Sequence, residues 1–342
     1  MRRTAGAAAL TIAVVLVAAW VVCGAGPAPP KARPDEITPE TQKAIDRGLA
    51  FLASIQAEDG SWPLYGGPGN TGITGLAGLA FMSGGSLPGR GKYGANVARA
   101  VEFVLKHTRR DGYITSGRSR MYEHGFATLF LAEVYGMTGN PEVKKKLQRA
   151  VLLIERTQNP QGGWRYNPVP YDADISVTIC QIMALRAARN SGIRVSRDVI
   201  DRGIEYVKNC QNPDGGFSYM IRSRGSNFPR TAAGVCSLYY SGEYEDEAIR
   251  KGLDYLYDSI AGAVDQKRMG HFFYGHYYAV QAMFQAGGKY WKAYYPKIRD
   301  RLVQTQQPGD GSWKGYGHTA YATSMACIIL QVPYRYLPVL QR

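Results

Sequence analysis

A phrase recurs along this chain about every fifty residues, and a repeat of that period marks one supersecondary unit stacked on itself. It reads Gln, three residues, Gly, a small residue and a large aromatic. The copies are Gln56-Ala-Glu-Asp-Gly60-Ser-Trp62, Gln158-Asn-Pro-Gln-Gly162-Gly-Trp164, Gln211-Asn-Pro-Asp-Gly215-Gly-Phe217 and Gln307-Pro-Gly-Asp-Gly311-Ser-Trp313. A weaker copy, Thr108-Arg-Arg-Asp-Gly112-Tyr-Ile114, lies between the first and second. One such unit cannot bury its apolar face alone, so the units must pack on one another.

Each unit has the same grammar. A first helix precedes the Gln. In the first unit Thr38-Pro39 opens it as N-cap and first-turn proline, and Ala44, Leu49, Phe51, Leu52 and Ile55 supply its apolar stripe. The Gly of the phrase tolerates the positive φ needed to leave the helix sharply. A loop follows, then a second helix richer in small and apolar residues. These second helices are expected at Gly72–Met82, Glu123–Tyr135, Ala173–Arg189, Thr231–Tyr240, Gly275–Ala286 and Thr319–Leu330. Being the more uniformly apolar, they should form an inner wall. The Gln is expected to bond exposed backbone of a neighbouring helix end, with the Trp stacked over it. The units run 47–93, 94–142, 143–193, 194–243, 244–290 and 291–342, the fifth lacking the phrase. No strand-like alternation persists, so the fold class is all-α.

The N-terminus stands apart. Met1-Arg2-Arg3 precedes an uncharged stretch over 5–26, which reads as a signal peptide (1–25) or, if uncleaved, a membrane anchor. Residues 26–40 hold several prolines and read as a linker, and 41–342 is the folded domain. The expected location is exported: periplasmic, secreted or anchored outside the cytoplasm. The formal charge is +14, but Lys and Arg are scattered over outer helices without a dominant cluster, so no nucleic-acid partner is expected. Cys180, Cys210, Cys236 and Cys327 form no C-x-x-C pair and read as small core residues.

The segment Arg47-Gly48-x-x-Phe51-Leu52-x-x-x-Gln56-x-x-x-Gly60-x-Trp62 resembles the QW motif of squalene–hopene and oxidosqualene cyclases. The same repeat, more loosely, builds protein prenyltransferase β-subunits and complement thioester domains. The resemblance covers about 300 residues and implies a single α6–α6 toroid of twelve helices, though one fold hosts several chemistries. In the cyclases a D-x-D-D-T-A motif opens an inner helix and its middle Asp protonates the polyene. Here Asp172-Ala-Asp174-Ile175-Ser176 keeps the first two acids and has Ile175 in place of the last. The resemblance therefore implies Asp174, with Asp172, as a proton donor; the other reading is that they cap the helix. The prenyltransferase zinc set is not met: Phe228 to Cys236 has no Asp-x-Cys, and Gly275 stands where that family's His would fall. The thioester signature Cys-Gly-Glu-Gln is absent.

Polar residues gather at the starts of the inner helices: Glu123 and His124, Asp172 and Asp174, Arg230, His271 and His276, and His318. The repeat register sends all of them to one mouth of the barrel. Asp174, Asp172, His124 and His276 are the candidates for acid–base work. Glu123, Tyr171, Arg230, His271, Tyr274, Tyr277, His318 and Tyr321 are the candidates for contact with a ligand. Tyr122 and Tyr166 belong to the same aromatic crowd. No metal-ligand spacing is present and no cofactor is expected. Three functions remain open. One is a cyclase-like toroid holding an isoprenoid or lipid, an isomerase or lyase if an enzyme. A second is a scaffold for a protein or an envelope polymer. The third is a polysaccharide lyase-like enzyme with Arg230 as base.

Overall fold

Alternation of polar-faced and nearly all-apolar helices gives two concentric layers. The structure, a computed structural model, describes residues 35–63, 67–116, 120–242, 244–265, 269–315 and 319–340. The leader, the first part of the linker and His318 lie outside these. Among the described residues there are twelve α-helices and no strands. The outer helices are α1 (Pro39–Ser54), α3 (Gly94–Lys106), α5 (Pro141–Arg156), α7 (Arg197–Lys208), α9 (Glu247–Ala263) and α11 (Gly288–Thr305). The inner helices are α2 (Thr71–Ser83), α4 (Met121–Thr138), α6 (Ile175–Asn190), α8 (Phe228–Ser241), α10 (Phe272–Ala286) and α12 (Thr319–Gln331). Inner helices pack in the order α2, α4, α6, α8, α10, α12 and back to α2, while α1 packs on α11 and α12. The array closes on itself as an α6–α6 toroid.

Sequence explains the layering. Every residue of α2 is buried, and it carries Gly at 72, 75 and 78. A Cβ on Gly72 would stand 2.7 Å from Glu123 Cα, so glycine is what lets α2 and α4 approach. Caps set the starts: Thr38 accepts from Thr41 N ahead of Pro39, and Asp174 caps α6, which moves that helix start to Ile175.

The recurring phrase is the joint between units. Gln158 Nε2 donates to Gly162 O within its own turn (2.7 Å) and to Val199 O in the first turn of the next outer helix (2.8 Å). Gln56 does the same with Gly60 O and Asn96 O, and Gln211 with Gly215 O and Ala248 O. In the last copy Gln306, not Gln307, fills this place, bonding Gly311 O and, across the ring closure, Ala44 O (both 2.8 Å). That copy has one extra residue between its bonding Gln and Gly311, a shift that pattern matching cannot see. The Trp ring makes a bond of its own. Trp62, Trp164 and Trp313 donate Nε1–H to carbonyls of the preceding outer helix, Leu52, Ile154 and Leu302. The aromatic's own backbone N–H donates to a threonine one turn inside the next inner helix: Thr74, Thr178, Thr231 or Thr323.

The starts of all inner helices and the phrase loops lie at one end, the mouth. At the other end the chain after α12 folds into two 3₁₀ turns, Val332–Tyr334 and Pro338–Leu340, which pack on α10 and α6. Val332, Leu337 and Val339 are buried there, and the backbone of Val339 bonds the buried Glu133 carboxylate. Between plug and mouth Tyr278 of α10 reaches Cys180 of α6 (3.2 Å), Tyr277 meets Phe126 of α4 edge-on, and Phe130 packs over Gly78 of α2. Cys180, Cys210, Cys236 and Cys327 are free and buried.

Candidate ligand cavity at the mouth of the toroid

First-turn residues of an inner helix face the axis, and six such helices starting at one level enclose a space. That space is a cavity of about 630 Å³. Its floor is Ile73, Leu76 and Phe126; its wall is ringed by Tyr122, Tyr166, Tyr219, Tyr274 and Tyr321. Polar groups sit among them: Asn70, Glu123, Ser176, Asn227, Arg230 and His271. The wall is braced by hydrogen bonds. Tyr166 and Tyr219 share one between hydroxyls (2.6 Å), and Tyr274 Oη donates to Ser176 O (3.1 Å).

The candidates from sequence fall into three groups. Glu123, Arg230, His271, Tyr274 and Tyr321 line the cavity. Glu123 accepts from Arg120 N (2.7 Å) as the acidic half of a capping box, and burial raises its carboxyl above the ordinary range. His271 stands exposed at the rim with φ 58°, a left-handed conformation that a non-glycine residue adopts at a cost.

Asp174 lies just behind the wall. It is buried, one oxygen capping α6 through Ser176 N and Val177 N (both 2.9 Å), the other accepting from Tyr219 Oη (3.1 Å). Burial raises its carboxyl to about 6, against the lowering effect of those bonds and of Arg165, whose Nε is 3.7 Å away. Cap and cavity-linked acid are thus one residue. Asp172 is half exposed and paired with Arg165 outside the cavity. Tyr171, a candidate for ligand contact, is 85% exposed and is not among the residues that line the cavity.

His124 and His276 are buried inside the wall, not at the mouth, and the reason is the repeat itself. His124 Nδ1 accepts from Ile114 N (3.1 Å), the place that threonine fills in four other units. His276 Nε2 faces Ala263 O at the end of α9 (2.9 Å), the kind of bond a Trp Nε1–H makes where the phrase is intact, and its Nδ1 faces Tyr294 Oη (2.7 Å). Burial lowers both imidazoles to about 4, so both are neutral near pH 7. Tyr277 is buried below the cavity in edge contact with Phe126. His318 lies outside the described residues. Tyr219 escaped sequence reasoning, although it stands two residues after Phe217, as Tyr166 stands after Trp164. That offset was the available signal. Arg230 donates to Asn227 Oδ1 and Gly225 O. Among the described residues no group of three or more His, Cys, Asp or Glu side chains is placed to hold a metal.

The squalene-hopene cyclase C-terminal domain family matches residues 70–232 and again 121–286, together more than half of the chain. The chain belongs to this family. A curated relative, drimenyl diphosphate synthase of Streptomyces showdoensis, is 26% identical over 180 residues, 51% of this chain. That match spans about a third of the relative's length, 32%. The type II terpene cyclase MstE from Scytonema, solved with geranylgeranyl dihydroxybenzoate, superposes with a TM-score of 0.63 at 16% identity, covering 89% of this chain and 99% of that one. Cellobiose 2-epimerase from Spirochaeta thermophila superposes equally well, at 0.65 and 14% identity over 87% and 98% of the two chains. An unsaturated glucuronyl hydrolase specific for heparin gives 0.64 at 14% over 88% and 97%. These likenesses establish the toroid; the fold alone does not select among three chemistries.

Proposed function

We propose that this squalene-cyclase-like toroid binds an isoprenoid or other lipid chain in its mouth cavity. The observation that carries the reading is the lining: a floor of Ile73, Leu76 and Phe126 beneath a ring of five tyrosines. Such a surface offers a chain hydrophobic burial and π faces, and about 630 Å³ lies within the range of small-molecule sites. A second reading builds on the first: Asp174 is the acid of a cyclase-type proton transfer. It is favoured by the raised carboxyl and by its bond to Tyr219, a residue that lines the cavity. The charged N-terminus followed by an uncharged stretch over 5–26 supports work outside the cytoplasm.

Native mass spectrometry of the purified protein with C15 and C20 isoprenoids should give a one-to-one adduct. The double variant Tyr166→Ala, Tyr321→Ala should weaken it by roughly tenfold, since each ring contact contributes on the order of 0.5–1.5 kcal/mol. Absence of any adduct from the wild type contradicts the binding reading. For the acid reading, Asp174→Asn should keep the adduct and lose any cyclised product; a product formed equally by both rejects Asp174.

A further inference from the structure

The cavity has one feature that a pure hydrocarbon does not explain. Arg230, on the first turn of α8, lines it beside Asn227 and His271. Its guanidinium is oriented by two neutral acceptors, Asn227 Oδ1 at 3.1 Å from Nε and Gly225 O at 3.1 Å from Nη2. No carboxylate lies within ion-pair distance of it among the described residues. Arg165, at the same mouth, is instead neutralised by Asp172 and Asp174. The cavity's own carboxylate, Glu123, sits on α4, separated from α8 by α6, and is engaged at the helix cap. Partial dehydration already lowers the Arg230 pKa. An apolar chain filling the cavity would strip more water from this cation and return nothing, because a charge removed from water needs a counter-charge. The starts of α8 and α10 add the positive ends of two helix dipoles on the same side.

We propose that the ligand is an amphiphile whose anionic end, a phosphate or a carboxylate, is held by Arg230 at the rim while its apolar chain lies on the tyrosine ring below. This rests on the reading that the cavity binds an apolar chain, and adds the head group to it. Arg230 is suited to the role because its fixed plane can present two N–H donors to two oxygens of one anion.

The test compares three probes of identical chain: a C20 isoprenoid alcohol, its monophosphate and the corresponding carboxylic acid, with affinities measured by calorimetry on the full chain. The wild type should bind the monophosphate or the acid at least about tenfold more tightly than the alcohol, as charge-assisted bonds imply. Arg230→Gln should abolish that preference without lowering the alcohol's affinity, since no unpaired cation is then dehydrated, and the retained binding also shows that the variant is folded. Arg230→Lys should recover part of it. A preference for the monophosphate alone identifies a phosphate ligand; equal gain with the acid identifies a general anion site. Equal affinity of the wild type for the alcohol and both anions overturns the head-group proposal and leaves the chain-binding reading intact. A preference that survives Arg230→Gln also overturns it. Failure of all three probes to bind removes both.

Discussion

His124 and His276 each occupy a place that another side chain fills in intact repeats. Both lie in the units whose phrase is weak or missing, where they restore a hydrogen bond to backbone that would otherwise be buried without a partner. A histidine beside a helix start reads from sequence as chemistry, and here it is a joint. Glu133 is the converse, an acid that periodicity marks as ordinary inner wall. Burial raises it from 4.5 to about 8, with only the Val339 backbone opposing. Between those values the folded chain keeps a proton that the unfolded chain has released, so this group's contribution to stability falls as pH rises from about 5 to about 8. Glu133→Gln should therefore leave stability nearly unchanged at pH 5. At pH 8 it should raise stability on the order of 2–4 kcal/mol. Denaturant titrations of both proteins across that range would measure the difference; a gain that does not grow with pH contradicts the assignment.

At the level of the element, the phrase is a turn whose backbone is pressed against the next outer helix. Gly162 has φ 97°, and a Cβ there would stand 2.1 Å from Arg202 O. Gly225 has φ 86° but nothing within 4 Å of its Cβ position. The two positions separate conformational strain from collision. Gly225→Ala should destabilise by about 1 kcal/mol, the usual cost of an L residue at positive φ. Gly162→Ala adds a backbone clash and should cost roughly 2–4 kcal/mol. Chemical denaturation of the pair decides; equal costs mean that the turn relaxes away from α7. The spacing of Gln, Gly and aromatic made these elements legible in advance, together with all six inner helices. The Gln306 register was not, because two adjacent glutamines are identical to a pattern and only the distance to Ala44 O distinguishes them.

The whole molecule is a ring closed by α1 against α11 and α12, with Arg47 Nη2 donating to Gln307 O (3.0 Å) across the seam, and with its lower end stoppered by the chain after Gln331. Removing residues 332–342 uncovers the Glu133 end of the axis and forfeits the burial of Val332, Leu337 and Val339. At about 1.5–3 kcal/mol for each of these three side chains, the truncated protein should lose roughly 5–9 kcal/mol. Thermal unfolding of both forms would show it, and an unchanged midpoint would mean that the tail does not hold the barrel.

By itself the sequence determined an all-helical stack of two-helix units, because helix periodicity and the Gln–Gly–aromatic spacing are local signals repeated along the chain; the closed ring was implied only by the resemblance to the cyclases, and the packing of α12 on α2 closes it. It also determined that Glu123, Arg230, His271, Tyr274 and Tyr321 share one end, since register alone carries first-turn residues to the same level. Only the tertiary structure decided which side chains enter the cavity and which are consumed by the wall. Asp174 is held behind Tyr219, 45 residues further on, Tyr171 turns out to solvent, and His124 and His276 point into joints with Ile114 and Ala263, because side-chain direction depends on the neighbour each residue meets once the units have packed.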